Sequence, residues 1–309
     1  MKKNNMSKKT GNKAINRKSF IGKTAAGLGA LAIPFKKAEA SFFDTFFQNH
    51  YVEMSKEEVK SVIDRMEKEY SEKYGKKVTI DTTAPLPGVK FGYGLDLSRC
   101  VGCRRCVYAC VDENNQSRDP QIHYISVVRM KKNEKGVTDL ENGTKYYEPE
   151  KVPEEGFMYV PIACMQCENS PCTKACPTQA TWKEKDGVVA IDYDYCIGCR
   201  FCMAACPYGA RKMNWGNPYL PADEVNPNMH YLGNRPRHKG CVEKCTWCLQ
   251  RTRKGLYPAC HQVCPVGARK FGNMLDPNSE IRYCLDNKRV FRLKEELNTK
   301  PTFFYFFSS

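Results

Sequence analysis

The chain has 309 residues, which is long enough for a buried core, and its 18 cysteines exceed what packing alone requires. Its formal net charge is +15, but residues 1–40 hold ten Lys or Arg residues and one Glu, or +9. The rest of the chain, with 39 basic and 33 acidic residues, carries only +6, which argues against a nucleic-acid-binding protein.

Residues 1–40 have the pattern of an export signal. A basic stretch ends at Lys23, an apolar run extends from Ala25 to Ile33, and Ala38-Glu39-Ala40 fits a signal-peptidase site. The basic stretch resembles a twin-arginine signal, the type that exports folded cofactor proteins, with Lys18 at the second arginine position. We therefore expect a twin-arginine-like signal peptide and a location on the periplasmic side of the cytoplasmic membrane. Lys18 leaves open whether the signal acts in a weakened form or the protein is exported on the signal of a partner. The alternative is a basic tail.

An amphipathic helix is predicted within residues 41–93, an N-terminal extension ahead of the cysteines. Ser55 to Glu58 have the pattern of a capping box, and apolar residues then recur at helical spacing until Gly75. These apolar residues are Val59, Val62, Ile63, Met66, Tyr70 and Tyr74. The helix is expected to pack on the core or to dock a partner subunit.

Short strand-like runs alternate with cysteine loops through the predicted cluster domain, residues 94–275. One such run is Val188–Asp192, which follows a turn. The runs Ile122–Met130 and Phe157–Ala163 predict the two strands of an inserted β-hairpin. In the C-terminal tail, residues 276–309, an aromatic cluster is expected to complete a core or an interface.

Sixteen of the cysteines form four motifs. Motifs one and three have the spacing C-x2-C-x2-C-x3-C of bacterial ferredoxins, whereas motifs two and four widen the middle gap to four and eleven residues. The motifs are Cys100, Cys103, Cys106, Cys110; Cys164, Cys167, Cys172, Cys176; Cys196, Cys199, Cys202, Cys206; and Cys245, Cys248, Cys260, Cys264.

In such motifs three cysteines bind one cubane, and the fourth ligates a neighbouring cluster. Because only 19 residues separate Cys176 from Cys196, motifs two and three are expected to pair, which leaves motifs one and four as the other pair. The predicted ligand sets of four [4Fe–4S] clusters are set one, Cys100, Cys103, Cys106 and Cys264; set two, Cys245, Cys248, Cys260 and Cys110; set three, Cys164, Cys167, Cys172 and Cys206; and set four, Cys196, Cys199, Cys202 and Cys176.

Zinc sites and disulfides are the alternatives for these thiols. A third cysteine in each motif, repeated four times, exceeds what tetrahedral structural zinc sites need. Cysteines three residues apart make poor disulfide partners. Both alternatives are therefore disfavoured.

Five further residues with metal-binding or redox chemistry lie near the motifs. Cys241 and Cys284 fall outside the four sets and are read as free buried thiols or as a disulfide pair. His230, His238 and His261 are read as ordinary polar residues, because the cysteines already fill every ligand position.

Charges within the motifs suggest an order of potentials. Arginines lie inside motifs one and three, namely Arg104, Arg105 and Arg200, whereas motif two encloses Glu168. Since a cation stabilises the reduced cluster, the hypothesis is that set three has the lowest potential.

The order and gaps of the motifs, with Lys244 to Cys248 opening the last one as K-C-T-W-C, resemble a known family. The chain is similar from Gly94 to Phe271 to the iron–sulfur subunits of the dimethyl sulfoxide reductase superfamily of molybdopterin oxidoreductases, such as those of polysulfide and tetrathionate reductase. The resemblance implies four clusters, paired one with four and two with three.

The resemblance also implies partners and a function. Such a subunit relays electrons between a molybdopterin or tungstopterin catalytic subunit and a quinone-linked membrane subunit or cytochrome, and contacts the membrane only through partners. The chain itself would then contain no catalytic site. An autonomous soluble periplasmic polyferredoxin is the alternative. A reductase with an open iron position is a third hypothesis, but it requires a missing ligand, and none of the sixteen cysteines is missing.

The predicted fold class is α+β. We expect two ferredoxin-like two-cluster modules related by a repeat, with the inserted hairpin and the N-terminal helical extension added to them.

Overall fold

The computed structural model describes residues 54–132, 140 and 142–308. The predicted signal peptide, residues 1–40, lies outside the described residues. The chain divides after Val59, and Lys60–Ser309 form one compact unit. Except for the first turn of the first helix, every element below belongs to this unit.

Seven α-helices and eleven strands form within the described ranges, and their mixture fits the predicted α+β class. The helices are α1 Lys56–Tyr74, α2 Arg105–Glu113, α3 Pro171–Lys174, α4 Phe201–Ala204, α5 Leu249–Thr252, α6 Ala259–Gln262 and α7 Glu280–Asn287. The strands are β1 Thr79–Asp81, β2 Phe91–Asp96, β3 Ser126–Lys131, β4 Phe157–Ile162, β5 Thr181–Lys183, β6 Val189–Ile191, β7 Lys212–Met213, β8 Asn228–His230, β9 Val242–Glu243, β10 Arg269–Asn273 and β11 Phe303–Phe306.

Helix α1 is the predicted amphipathic helix, and its capping box is formed. The Ser55 amide donates to Glu58 Oε2 at 2.7 Å, and the Glu58 amide donates to Ser55 Oγ at 3.2 Å. The helix ends before Gly75, whose φ of +63° is the left-handed conformation that closes many helices. Met66 and Tyr74 are buried in a small apolar core with β1 and β8, which confirms the expectation of core packing.

The predicted hairpin and the strand before motif three are confirmed. Strands β3 and β4 pair antiparallel from Ser126 opposite Ile162 to Lys131 opposite Phe157. Strand β6 pairs antiparallel with β5 after the turn at Gly187.

Three sheet pairings bring distant segments to the cysteine loops. Strand β1 of the N-terminal extension pairs parallel with β8, and β7 after motif three pairs antiparallel with β9 before motif four. Strand β2, just before motif one, is the centre of the order β10-β2-β11, with β10 antiparallel and β11 parallel.

The aromatic cluster of the C-terminal tail is part of the core. Phe303–Phe306, which form β11, are all buried, and the Phe303 ring stacks on Tyr93 of β2 at 4.7 Å between centroids. The boundary predicted at residue 275 therefore falls between strands of one sheet. No helix of the described residues is both long and apolar enough to cross a membrane.

The buried tail predicts a stability difference between two of its aromatic residues. Tyr305 is fully buried and its hydroxyl donates to the Pro161 carbonyl at 2.9 Å, whereas Phe307 is 44% exposed. We expect Tyr305→Ala to lower the free energy of unfolding by about 3–5 kcal/mol, because it leaves a cavity. Phe307→Ala, the matched control, is expected to cost no more than about 1 kcal/mol. Anaerobic denaturant unfolding measures both, and equal losses would contradict the packing.

Candidate metal centre

The four motifs share one local structure around the third cysteine. In every motif this cysteine is the second residue of a helix, as Cys106 in α2, Cys172 in α3, Cys202 in α4 and Cys260 in α6. The repeat in sequence is therefore also a repeat in backbone conformation.

Left-handed residues curl each loop ahead of that helix. They are Gly102 and Arg104 in motif one, Gln166 in motif two, Gly198 and Arg200 in motif three, and Trp247 and Cys248 in motif four. Alternating backbone conformations of this kind turn successive amides toward one point and form the nests found in many iron–sulfur sites. Gly102 and Gly198 cannot be replaced without strain, because a Cβ would also overlap the Tyr159 ring or the Gly240 carbonyl.

Motifs one and four meet at one cavity. It is lined by Cys100, Cys103, Cys106 and Cys264, which are the four residues of set one. Helix α2 carries Cys106 at this cavity and Cys110 one turn later, away from it. Since one helical turn rises about 5.4 Å, α2 connects two adjacent cysteine groups.

Motifs two and three meet at a second cavity. It is lined by Cys196, Cys199, Cys202 and Cys176, the residues of set four. Thr181 of β5, Ile191 of β6 and Val242 of β9 also line it, because the short sheets hold the ends of the motifs together.

The residues of set two are also neighbours. Burial, and then the nearby thiols of Cys245, Cys248 and Cys260, raise the pKa of Cys110 well above its ordinary value. The Asn114 side-chain amide donates to both Cys110 Sγ and Cys248 Sγ at 3.6 Å.

Set three forms the fourth group. Burial, and then the thiols of Cys164, Cys172 and Cys206, raise the pKa of Cys167 to about 12, although a hydrogen bond from Thr299 opposes this. The structure thus brings together the members of every predicted set.

Electrostatic interactions between thiols link the four groups in a line. Cys106 of set one interacts with Cys260 of set two, and Cys245 of set two interacts with Cys164 of set three. Cys172 of set three interacts with Cys202 of set four. The order along the line is therefore one, two, three, four.

The two ends of this line are closer to solvent than its middle. All four cysteines of set two are buried, whereas all four of set one and three of set four are only partly buried. Set four is flanked by four exposed apolar side chains, namely Tyr195, Ile197, Phe201 and Trp215. A groove lined by Val101, Phe157 and Phe307 adjoins Cys100 of set one.

The donor groups fit cubane clusters. Each group offers four thiols, the ligands that [4Fe–4S] clusters take, and the nests add backbone N–H groups. Two N–H groups of the buried Arg211, at Nε and Nη1, find no acceptor among the described protein atoms, beside the cavity of set four. Within the described ranges, no three or more His, Cys, Asp or Glu side chains are arranged around a single-ion position.

Cys241 and Cys284 are free and buried, and the three histidines lie outside the sets. The Cys241 thiol donates to the His238 carbonyl at 3.2 Å. His230 contacts the Thr83 carbonyl and His261 contacts Glu280, each at 3.1 Å. These contacts are those of ordinary polar residues.

The charges nearest the sets differ from those that the motifs suggested. Glu168 forms ion pairs with Lys90 at 3.0 Å and with Lys183 at 3.5 Å, so its charge is offset. That the cluster at set three has the lowest reduction potential stays a prediction. The buried cations beside the thiols are Lys244, Arg211 and Arg269, which sequence reasoning missed. A repeated C-P-x-G-A-R run, ending at Arg211 and Arg269, was the available signal.

Arg269 illustrates how these cations contact the thiols. Its Nη2 donates to Cys106 Sγ at 3.2 Å and its Nη1 donates to the Tyr93 hydroxyl at 3.3 Å. Burial opposes its charge, yet the adjacent Cys106, Tyr93 and Cys260 raise the pKa of Arg269 well above its ordinary value. The guanidinium thus remains charged in the protein interior.

Comparison with known proteins places these motifs in a family. Residues 155–221 and 229–274 match one model of a 4Fe-4S dicluster domain, and residues 99–180 match a second model of the same description. The first match covers motifs two, three and four, and the second covers motifs one and two, so each match joins motifs that are consecutive in sequence. In the structure, by contrast, motif one is grouped with motif four.

Three curated relatives align with 70–72% of this protein. A selenate reductase subunit of Mesobacillus selenatarsenatis is 40% identical over 232 residues, covering 72% of this protein and 73% of the relative. A component of polysulfide reductase of Wolinella succinogenes is 36% identical, covering 70% and 93%. This protein belongs to the family of iron–sulfur subunits of molybdopterin oxidoreductases. The Hdr-like menaquinol oxidoreductase iron-sulfur subunit 1 of Archaeoglobus fulgidus is 37% identical, covering 70% and 82%.

The family assignment confirms the resemblance that the motif order indicated. As a member of this family, the protein is an electron-transfer subunit that binds 4Fe–4S clusters.

The grouping of the thiols predicts which cysteines act together. We expect Cys110→Ala and Cys245→Ala to alter the EPR signal of the same cluster, and each to remove roughly a quarter of the iron, because both residues belong to set two. Cys284→Ala, which removes a buried thiol outside the sets, should retain all iron. The pairing would be wrong if Cys110→Ala altered the signal that Cys103→Ala alters.

Proposed function

We propose that this iron–sulfur subunit holds four [4Fe–4S] clusters in a line and relays electrons between a molybdopterin or tungstopterin catalytic subunit and a quinone-linked membrane subunit or cytochrome. The observation that carries the proposal is the arrangement of sixteen cysteines in four groups whose thiols interact in series. When bound, each cluster accepts and donates one electron.

The proposed ligands are sets one to four. The residues of this protein would hold neighbouring clusters close together, because every motif contributes three cysteines to one set and its fourth to the next set of the same pair. Between the pairs, Cys245 interacts electrostatically with Cys164, and electrons would pass there from set two to set three.

The two ends of the line support entry and exit through partner subunits. Sets one and four are partly exposed, and each adjoins exposed apolar side chains that are suited to an interface. The names of the relatives, which include reductase subunits and a menaquinol oxidoreductase subunit, support partners at both ends.

Two other functions have less support. A diffusible polyferredoxin needs no such interfaces, and the relatives are named as parts of larger enzymes. A reductase with an open iron position would need a group with a missing thiol, and each of the four groups has four.

We also propose that the complex acts on the periplasmic side of the cytoplasmic membrane. The support is the twin-arginine-like pattern in residues 1–40, which suits a protein that acquires clusters before export. Membrane association would then occur through the partners.

Isolation of the tagged protein tests the relay. From anaerobically prepared membranes we expect a complex that contains a pterin subunit and a quinone-linked membrane protein or cytochrome, with sixteen irons in this protein, about four for each cluster. Recovery of the fully loaded protein as a free monomer would favour the soluble carrier instead.

The exposed apolar surface at set four predicts that a charge introduced there weakens the binding of a partner subunit. Trp215 is 63% exposed and its indole stacks on Arg200, so Trp215→Asp should place a charge in the contact. We expect the affinity for one partner subunit to fall roughly thirtyfold, which is about 2 kcal/mol, without loss of iron. Tyr283→Asp on α7, a similarly exposed position at 59%, is the control and should bind normally. Equal binding by both variants would exclude this surface.

A further inference from the structure

The run C-P-x-G-A-R occurs after the last cysteine of motifs three and four, as Cys206 to Arg211 and Cys264 to Arg269. In both copies the glycine is left-handed, with φ of +59° at Gly209 and +60° at Gly267. This turn reverses the direction of the backbone, so that the arginine five residues after the cysteine is buried beside the cysteine groups. At the same position after motif two the residue is Thr181.

Arg269 lies between sets one and two. It lines the cavity of set one, and its Nη2 donates to Cys106 Sγ at 3.2 Å. Its Nη1 contacts the Tyr93 hydroxyl, which in turn lies 3.3 Å from Cys260 Sγ of set two. One guanidinium therefore reaches both sets of the pair formed by motifs one and four.

Arg211 occupies the equivalent place between sets three and four. It lines the cavity of set four and is 3% exposed, and its Nη2 donates to Thr181 Oγ1 at 2.9 Å. Its charge interacts with Cys172 and Cys164 of set three and with Cys202 of set four. Its Nε and Nη1 have no acceptor among the described protein atoms.

Two other buried arginines differ from Arg211 and Arg269, because each of them forms an ion pair with a carboxylate. Arg237 pairs with Glu243 at 3.2 Å, and Arg253 pairs with Asp186 at 2.9 Å. For Arg211 and Arg269, no carboxylate of the described residues lies within the 4.0 Å of an ion pair. A buried cation needs a negative partner, and the thiolate groups are the neighbours that supply it.

We propose that Arg269 and Arg211 are buried cations that raise the reduction potentials of the two cluster pairs. Arg269 raises the potentials of the clusters at sets one and two, and Arg211 raises those of the clusters at sets three and four. This inference rests on the proposed four clusters. Reduction adds a negative charge to a cluster, so a buried cation and its N–H···S contacts stabilise the reduced form. Because each arginine lies within one pair, its effect is confined to that pair.

The experiment is an anaerobic, EPR-monitored redox titration of the wild-type complex and of Arg269→Gln and Arg211→Gln. Each variant should lower the reduction potentials of two of the four clusters by at least about 59 mV. For a one-electron couple this is a tenfold change in the ratio of reduced to oxidised cluster. The two variants should move complementary pairs, so each is the control for the other. Arg269→Lys and Arg211→Lys, which keep the charge, should restore the potentials to within about threefold.

Lys174→Gln separates burial from simple proximity. Lys174 lies between Cys172 and Cys176 at the end of α3 but is exposed, so solvent screens its charge and the change should stay below about threefold. The proposal is overturned if this variant shifts the reduction potentials as strongly as Arg211→Gln or if all four potentials shift together. It is also overturned if neither substitution of a buried arginine shifts any of the potentials.

Iron content distinguishes a failure of the proposed function from a failure of the proposed role of the arginines. A wild-type protein with fewer than four clusters would overturn the proposed function, whereas four clusters with unmoved potentials would overturn only the role of the arginines. If a glutamine variant loses iron, Tyr93→Phe and Thr181→Val replace it, because they remove the hydroxyls that seat Arg269 and Arg211. A shift confined to the corresponding pair supports the proposal, and no shift overturns it.

Discussion

The convergence of sixteen cysteines into four groups, each drawn from two separate motifs, is the constraint on which the structure depends. Motif four can complete set one only if β10 returns beside β2, and motifs two and three meet only if their loops face each other. The short sheets serve this purpose, since they join segments just before or after the motifs. The short sheets therefore hold the cysteine loops together in the folded protein.

Grouping thiols in the protein interior has an electrostatic cost. Burial raises the pKa of Cys100 and Cys245 to about 12, so their ionisation requires positive charge nearby. Iron would supply positive charge when the clusters are bound, and Lys244, Arg211 and Arg269 add fixed cations within the buried region. These residues lack carboxylate partners within the described ranges, which distinguishes them from the ion pair of Arg237 with Glu243.

Local features of the fold were predictable where the responsible interactions are local. The capping box of α1 depends on Ser55 and Glu58 alone, and the β3–β4 hairpin depends on two neighbouring apolar runs. The parallel pairing of β1 with β8 and the insertion of β11 beside β2 were not predicted, because their partners lie far apart in the sequence. Strands of three or four residues carry too little pattern to specify a distant partner.

The sequence by itself determined the cofactor class, the four motifs and their expected pairing, because ligand spacing is set by the geometry of the cluster. It also contained the repeated run that ends at Arg211 and Arg269, but without indicating its purpose. Only the tertiary structure decided which charges act on the thiols: it neutralised Glu168 with two lysines and buried the two arginines between paired groups. The physical reason is that electrostatic interaction depends on distance and burial in space, and neither follows from separation along the sequence.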